Sequence, residues 1–219
     1  MGLRLPFASI TSKLTVTPVV LVGFFRLSEK ESARAVRVTL DVSFRSRVEY
    51  LLKVASRARI IGVIYNSGQN ETVVSDGEKV CAQMGLTLKK FPVNSAEDIR
   101  KLGDMGIDAL IFIPDTLVCQ GVIIREIILN SIKYKIPVVG ISHFFAEAGT
   151  VMAIAPDYTD LGSQAGSLAI KILSGEKPSD MNFIFPDKVN YFLNQAVAHR
   201  QGLKIAQDVL DNAVEVFGQ

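Results

Sequence analysis

Short apolar segments and helix-like segments alternate along residues 60–175, and this alternation restricts the fold more than any other feature of the chain. The apolar segments are IIGVIY (60–65), LTLKKFPV (86–93), DALIFIPD (108–115), IPVVGIS (136–142) and TVMAIAP (150–156). Helical patterns lie between and after them at about 71–84, 95–106, 118–135 and 157–174. We therefore predict an α/β protein with a doubly wound parallel sheet, covered on both faces by right-handed crossover helices.

The composition is that of an ordinary globular protein. Hydrophobic residues make up 48% of the 219 residues, which is enough to bury a sizeable core. The 24 basic and 22 acidic residues are spread along the chain, so no basic patch indicates a nucleic-acid partner. Cys81 and Cys119 fall in apolar helical patterns, where a free cysteine usually behaves as a small buried hydrophobic residue. We expect no metal site, because neither the cysteines nor the two histidines have metal-ligand spacing.

Polar side chains follow four of the five predicted strands, where open α/β sheets bind their ligands. They are Asn66, Ser67 and Asn70, then Asp115 and Thr116, then Ser142 and His143, and finally Asp157. The same residue types are favoured helix N-caps, so each position could cap a helix or contact a solute. Asp115 favours contact, since IPDT places a carboxylate at the strand end that could pair with a positively charged group of a solute. His143 could line a cleft or pack against a loop.

Motifs for catalysis are missing from the sequence. There is no GxSxG, no P-loop and no GxGxxG after the first strand, where YNSGQN offers a single glycine. The GSQAG at 162–166 falls in the middle of a predicted helix, where its glycines would permit close helix packing. We therefore predict a binding protein with no catalytic residues, no metal and no cofactor.

The chain resembles the ABC transporter substrate-binding family, whose characterised members include tryptophan- and tyrosine-binding lipoproteins. The resemblance covers about residues 57–219 and rests on several segments in the same order. They are RIIGVIYNSGQNETVV, GIDALIFIPDT, KIPVVGIS, PDYTDLGSQAGSLAIKILSGEKPSD and LNQAVAHRQGLKIAQDVLDNAVEVF.

The resemblance implies a type I periplasmic-binding-protein fold, in which two α/β lobes close on a solute. It implies a small-molecule solute, with amino acids among the candidates, an ABC permease as partner, and a periplasmic or extracytoplasmic, membrane-anchored location. The residues that match the second-lobe side of the cleft are Asn66, Ser67, Asn70, Asp115, Thr116, Ser142 and Asp157. Which solute is bound does not follow from one lobe.

The first lobe is mostly absent from the resemblance, because only 16 residues precede TPVVLVGFF. We predict a first-lobe remnant and linking helix at 1–57, an α/β ligand-binding lobe at 58–188, and a return segment of strand and helix at 189–219. Residues 16–57 would hold one strand, a charged link and a helix. The apolar run at 16–25 gives no convincing secretory signal, since charged residues separate it from the possible cleavage site at 33–35, and this leaves a cytoplasmic location open.

Strands without their partner sheet would leave open edges. We therefore expect a homodimer that pairs through TPVVLVGFF, VNYFL and an apolar face on a terminal helix at 205–217. The alternative is that these segments fold back on each other within one chain.

The resemblance leaves two functional alternatives to solute transport. One is a truncated paralogue that acts as an interaction or sensor domain without transport, and the other is a ligand-sensing regulator, which would need a helix-turn-helix module.

Overall fold

The computed structural model describes residues 18–24, 35–95, 97–98, 105–181 and 184–218. The strands are β1 (Val19–Phe24), β2 (Ala35–Thr39), β3 (Ile60–Asn66), β4 (Thr87–Val93), β5 (Ala109–Ile111), β6 (Val138–Gly140), β7 (Met152–Pro156), β8 (Val189–Asn194) and β9 (Glu215–Phe217). The helices are α1 (Phe44–Val54), α2 (Ser67–Gln83), α3 (Gly121–Lys133), α4 (His143–Ala148), α5 (Tyr158–Leu173), α6 (Gln195–Gln201) and α7 (Gln207–Asp211). The chain divides into a smaller unit, residues 1–42 and 156–189, and a larger unit, residues 43–155 and 190–219.

Seven strands form one sheet in the order β4-β3-β5-β6-β7-β8-β9. The pairs β3–β4, β3–β5, β5–β6, β6–β7 and β8–β9 are parallel. This confirms the predicted α/β class with a parallel sheet. The central strands are buried, and the core on them includes Ile64, Leu110, Phe112, Val138 and Ala153 together with Ile123 and Ile127 of α3.

The first strand and helix of the sheet show why the chain turns so abruptly from apolar to polar residues. β3 is buried from residue 61 through 65, as expected for a strand covered on both faces. α2 begins directly after it at Ser67, earlier than the predicted start near residue 71, because Asn66 caps it with a 2.9 Å hydrogen bond from Gly68 N to Asn66 Oδ1. Gly77 then allows α2 to approach α1, since a Cβ there would lie 2.5 Å from Phe44 Cε2.

The smaller unit contains a strand that the sequence prediction missed. β1 and β2 form a parallel two-stranded sheet, whereas the sequence predicted only a charged link after β1. Ile184 extends the sheet through a parallel bridge to Val38. α5 packs on this sheet through a core that contains Val36, Val38, Leu161 and Leu168. No described residue comes within 4 Å of a Cβ placed at Gly162 or Gly166, so the close packing expected of GSQAG is absent from the described part of the chain.

The C-terminal segment corrects two expectations. VNYFL lies in β8 between β7 and β9, so it is an interior strand and not an open edge. The terminal helix predicted over 205–217 ends at Asp211 as α7, and β9 follows in parallel pairing with β8. β-Branched Val214 and Val216 suit this extended backbone better than a helix, and Val214 N donates to Tyr191 O at 2.9 Å.

Two predicted helical positions differ from the structure or lie partly outside its described residues. Cys119 was expected in a helix but lies in a turn before α3. Cys81 and Cys119 are both free thiols. The helix predicted over 95–106 falls largely outside the described residues. Ser95 and Asp98 form a capping box at its start, because Asp98 N donates to Ser95 Oγ at 3.3 Å and Ser95 N donates to Asp98 Oδ2 at 3.0 Å.

The observed units have boundaries at 42/43, 155/156 and 189/190. α1 groups with the larger unit because it packs against α2 and β5, whereas the sequence prediction placed residues 1–57 together. The division into 1–57, 58–188 and 189–219 stays a prediction. Among the described residues, no helix is long and apolar enough to cross a bilayer.

Candidate functional site

The carboxyl ends of three neighbouring strands carry most of the predicted site residues. β3, β5 and β6 are adjacent in the sheet and parallel, so their carboxyl ends lie along one edge. Asn66 and Ser67 stand at the end of β3, Asp115 follows β5, and Ser142 follows β6. The topology therefore gathers these side chains at the edge where α/β sheets bind ligands.

Asp115 is the centre of the hydrogen bonds at this edge. Its side chain is buried, with 4% of the residue exposed. Oδ2 accepts from Asn66 N and from Asn70 Nδ2, both at 2.8 Å. Oδ1 accepts from Leu117 N and Val118 N, both at 2.9 Å. Because a carboxylate offers about four acceptor positions, these four donors satisfy it completely.

This arrangement favours a positioning role for Asp115 over direct contact with an ammonium group. The carboxylate ties together the end of β3, the first turn of α2 and the loop after β5. Asn70 strengthens the same connection, since its Nδ2 also donates to Pro114 O at 3.0 Å. The abrupt polar segment YNSGQN thus fixes the end of one strand to the loop after its neighbour.

Gln69 is a residue of this edge that the sequence analysis did not identify. Its Oε1 accepts from Thr116 N at 3.0 Å and from Thr116 Oγ1 at 2.7 Å. The contact joins two segments 47 positions apart, so nothing local in the sequence reveals it. The only signal for Gln69 in the sequence is its place within YNSGQN, the segment that also holds the candidate site residues Asn66, Ser67 and Asn70.

Two hydroxyl groups at this edge remain uncommitted. Ser67 and Ser142 are half-buried, and neither side chain has a hydrogen-bond partner among the residues that the structure describes. Ser142 occupies the N-cap position of α4, yet its side chain makes no capping hydrogen bond. These hydroxyls can donate to or accept from a solute. Neither hydroxyl is hydrogen-bonded to a base among the described residues.

His143 packs against the end of the chain. Its Nε2 lies 3.0 Å from Glu215 Oε2 of β9. The imidazole also contacts the rings of Phe144, Phe192 and Phe217, each with a centroid separation of 5.3 Å. Of the two roles left open for His143, this geometry favours packing.

Asp157 belongs to the smaller unit and caps α5. Its Oδ1 accepts from Thr159 N and Asp160 N, both at 3.0 Å. Asp160 in turn forms an ion pair with Lys188 at 2.9 Å, and this contact raises the pKa of Lys188. A capping role therefore accounts for the aspartate at this position.

The remaining perturbed groups are structural. Burial and a hydrogen bond to Glu71 raise the pKa of Tyr65 to about 12. Burial raises the pKa of the Cys81 and Cys119 thiols to about 11. Within the described ranges, no three His, Cys, Asp or Glu side chains are grouped to hold a metal ion. The edge is therefore suited to binding a polar solute through hydrogen bonds.

Comparison with known proteins adds a family match over nearly the whole chain. The family model described as ABC transporter substrate binding protein matches residues 14–217. A tyrosine-binding protein of Clostridioides difficile is 25% identical over 185 residues, which make up 82% of this chain and 53% of that protein. The chain thus spans about half the length of this curated relative.

Two solved structures share the fold. An ABC domain from Streptococcus pneumoniae in complex with L-Trp superposes with a TM-score of 0.63 at 22% identity, covering 84% of this chain and 63% of that one. A ligand-free, open substrate-binding protein with adhesive properties from Clostridium difficile gives a TM-score of 0.71 at 21% identity, covering 99% of this chain and 84% of that one.

Proposed function

This chain belongs to the family of ABC transporter substrate binding proteins, and we propose that it binds an amino acid without changing it chemically and passes it to a membrane permease. The observation that carries the proposal is the carboxyl edge of β3, β5 and β6, where the hydroxyls of Ser67 and Ser142 have no described partner and the buried carboxylate of Asp115 anchors the segments after β3 and β5. Relatives of this chain include a tyrosine-binding protein and a domain in complex with L-Trp. Tyrosine and tryptophan are therefore the first solutes to test.

The proposed roles of the site residues follow from how each side chain is engaged. The hydroxyls of Ser67 and Ser142 contact the solute. Asp115 acts as a positioning residue, and with Asn66, Asn70 and Thr116 it fixes the segments that follow β3 and β5. Asp157 caps α5, and His143 packs against β9. A preorganised edge of this kind binds without losing much free energy to ordering of its side chains.

Isothermal titration calorimetry with L-tryptophan and L-tyrosine tests the proposal. We expect saturable binding by the full chain, and the probe should be recovered with unchanged mass. The double variant Ser67→Ala/Ser142→Ala should bind about 5- to 100-fold more weakly, because each hydrogen bond contributes about 0.5–1.5 kcal/mol. Ser56→Ala is the matched control, since Ser56 lies in an exposed turn before β3, at the opposite ends of the strands.

Two results would count against this function. Absence of saturable binding for every amino acid tested would remove the solute-binding proposal, and equal affinity of the double variant and the wild type would remove the two serines from it. Delivery to a permease is a separate step. It predicts that cells lacking this protein take up the bound amino acid more slowly, and unchanged uptake would contradict the transport role.

A further inference from the structure

Arg37 is a buried cation that the proposed function does not use. It lies in the middle of β2 in the smaller unit, with 7% of the residue exposed. Side chains alternate along a strand, and Val36 and Val38 join the core under α5, so Arg37 extends from the opposite face of the sheet. Its Nη2 atom is buried and has no hydrogen-bond partner among the described residues, nor does the guanidinium form an ion pair with them.

An unpaired, buried guanidinium group lowers the stability of the folded protein. A buried lysine can lose its proton, but the guanidinium group of an arginine stays charged in proteins, so burial does not remove this charge. A buried ion without a partner costs several kcal/mol, on the order of half the stability of a typical domain. Two described carboxylates of the same unit are engaged elsewhere, since Asp160 pairs with Lys188 and Asp157 caps α5. An anion from outside the chain would remove this cost.

We propose that Arg37 binds the carboxylate group of a small molecule. The planar guanidinium presents two parallel N–H groups that match the two oxygens of a carboxylate. One arginine balances one carboxylate charge, whereas a phosphate group carries more charge and more acceptor oxygens than this single side chain can serve. The small exposed fraction admits only a narrow group, such as the end of an amino acid or a short organic acid. This inference is independent of the solute proposed for the larger unit.

Thermal unfolding of the full chain tests this site with sodium formate and sodium acetate as probes. Each is compared with sodium chloride at equal ionic strength, so that only the carboxylate differs. At ten times the dissociation constant, we expect a midpoint about 3–6 °C higher in wild type. In Arg37→Met the carboxylate-dependent rise should vanish. The same variant should be more stable than wild type in chloride, because it removes a buried charge that has no partner.

Arg57→Gln is the control, since Arg57 is an exposed arginine in the turn after α1 and its loss removes the same charge. This variant should keep the full response to formate. The inference is wrong if Arg37→Met responds to formate as wild type does, or if it is less stable than wild type in chloride. A third result would also overturn it: if formate has no effect but Arg37→Met changes the sedimentation mass, the carboxylate comes from another polypeptide. Calorimetry with L-tryptophan and L-tyrosine tests amino-acid binding by the larger unit separately, so either proposal can fail without the other.

Discussion

Replacing Asp115 by asparagine tests whether the carboxylate holds the site edge together. The substitution keeps the size of the side chain and converts one acceptor oxygen into an NH₂ group. If the amide oxygen stays with Leu117 N and Val118 N, the NH₂ group faces Asn66 N and Asn70 Nδ2. If the amide turns over, it faces the other pair. In both orientations two buried donors lose their acceptor.

The expected loss of stability follows from those two donors. A buried donor left without an acceptor costs about 1–3 kcal/mol, so Asp115→Asn should lower the free energy of unfolding by about 2–5 kcal/mol. With a urea m value of about 2–3 kcal/mol/M, the unfolding midpoint should fall by about 1–2 M. Solute affinity should fall with it, because the loops after β3 and β5 lose their common anchor. The measurement is urea unfolding of both proteins followed by far-UV circular dichroism.

Asp76→Asn is a suitable control, because Asp76 lies on α2, is exposed and forms an ion pair with Lys79 at 3.1 Å. An exposed pair of this kind contributes about 0–1 kcal/mol, so its loss should move the midpoint little. A midpoint for Asp115→Asn that coincides with wild type would show that the four hydrogen bonds do not stabilise the edge. Unchanged stability with strongly weakened solute binding would instead restore the direct contact that the sequence suggested.

Two further predictions concern titratable groups. Because burial raises the pKa of Cys81 and Cys119 to about 11, roughly one thiol in a thousand is ionised at pH 8. Ellman's reagent should therefore react slowly with the native protein, and should label two thiols after unfolding. Fast labelling of the native state would contradict this prediction. The backbone N–H groups of Ile60 and Arg59 lower the pKa of Asp108, so this carboxylate stabilises the fold above its ordinary pKa of about 3.9 and less as the pH falls through its lowered value. Asp108→Asn should therefore lower the free energy of unfolding at pH 7, by no more than about 1 kcal/mol because the side chain is exposed. The loss should be smaller at pH 3. An equal loss at both pH values would refute the stabilising role of the Asp108 carboxylate.

The fold class was predictable because the strands of the large sheet carry their signal locally. IIGVIY was predicted as a strand over 60–65 and is observed as Ile60–Asn66, and residues 61–65 are buried on both faces. TVMAIAP behaves in the same way as β7. Continuous β-branched and apolar runs of this length are typical of parallel strands under helices, whatever the rest of the chain does.

The missed elements depend on contacts that no local pattern reveals. β2 contains Arg37 between two valines, so AVRVT resembled a charged link, and only pairing with β1 and Ile184 identifies it as a strand. The apolar residues of 205–217 have helical spacing, so the sequence predicted a helix there, but Glu215–Phe217 forms a strand paired with β8. Tertiary context outweighed propensity in both segments.

The candidate site was predictable as a set of positions but not as a division of roles. Strand ends could be located from the sequence, and parallel pairing places them on one edge. Which side chains are used up inside the protein depends on partners more than 40 positions away, as for Asp115 with Asn66 and for Thr116 with Gln69. The residue types were the same for both roles, so only the geometry separates Ser67 and Ser142 from Asp115 and Thr116.

The structure removes one of the strands expected to pair in the predicted homodimer. β8 is paired on both sides and offers no open edge, although β9 of the same return segment is an edge strand of three residues. β1 pairs with β2 on one side, and no described strand pairs with its other side. Val22 of β1 is 38% exposed. A two-fold partner that adds β1 to β1 would satisfy those backbone groups. Val22→Lys should then dissociate the dimer, whereas Val214→Lys, at a more exposed valine of the C-terminal segment, should not. Sedimentation equilibrium gives the answer, because a mass of 23.9 kDa for the wild type at high micromolar concentration would exclude the dimer.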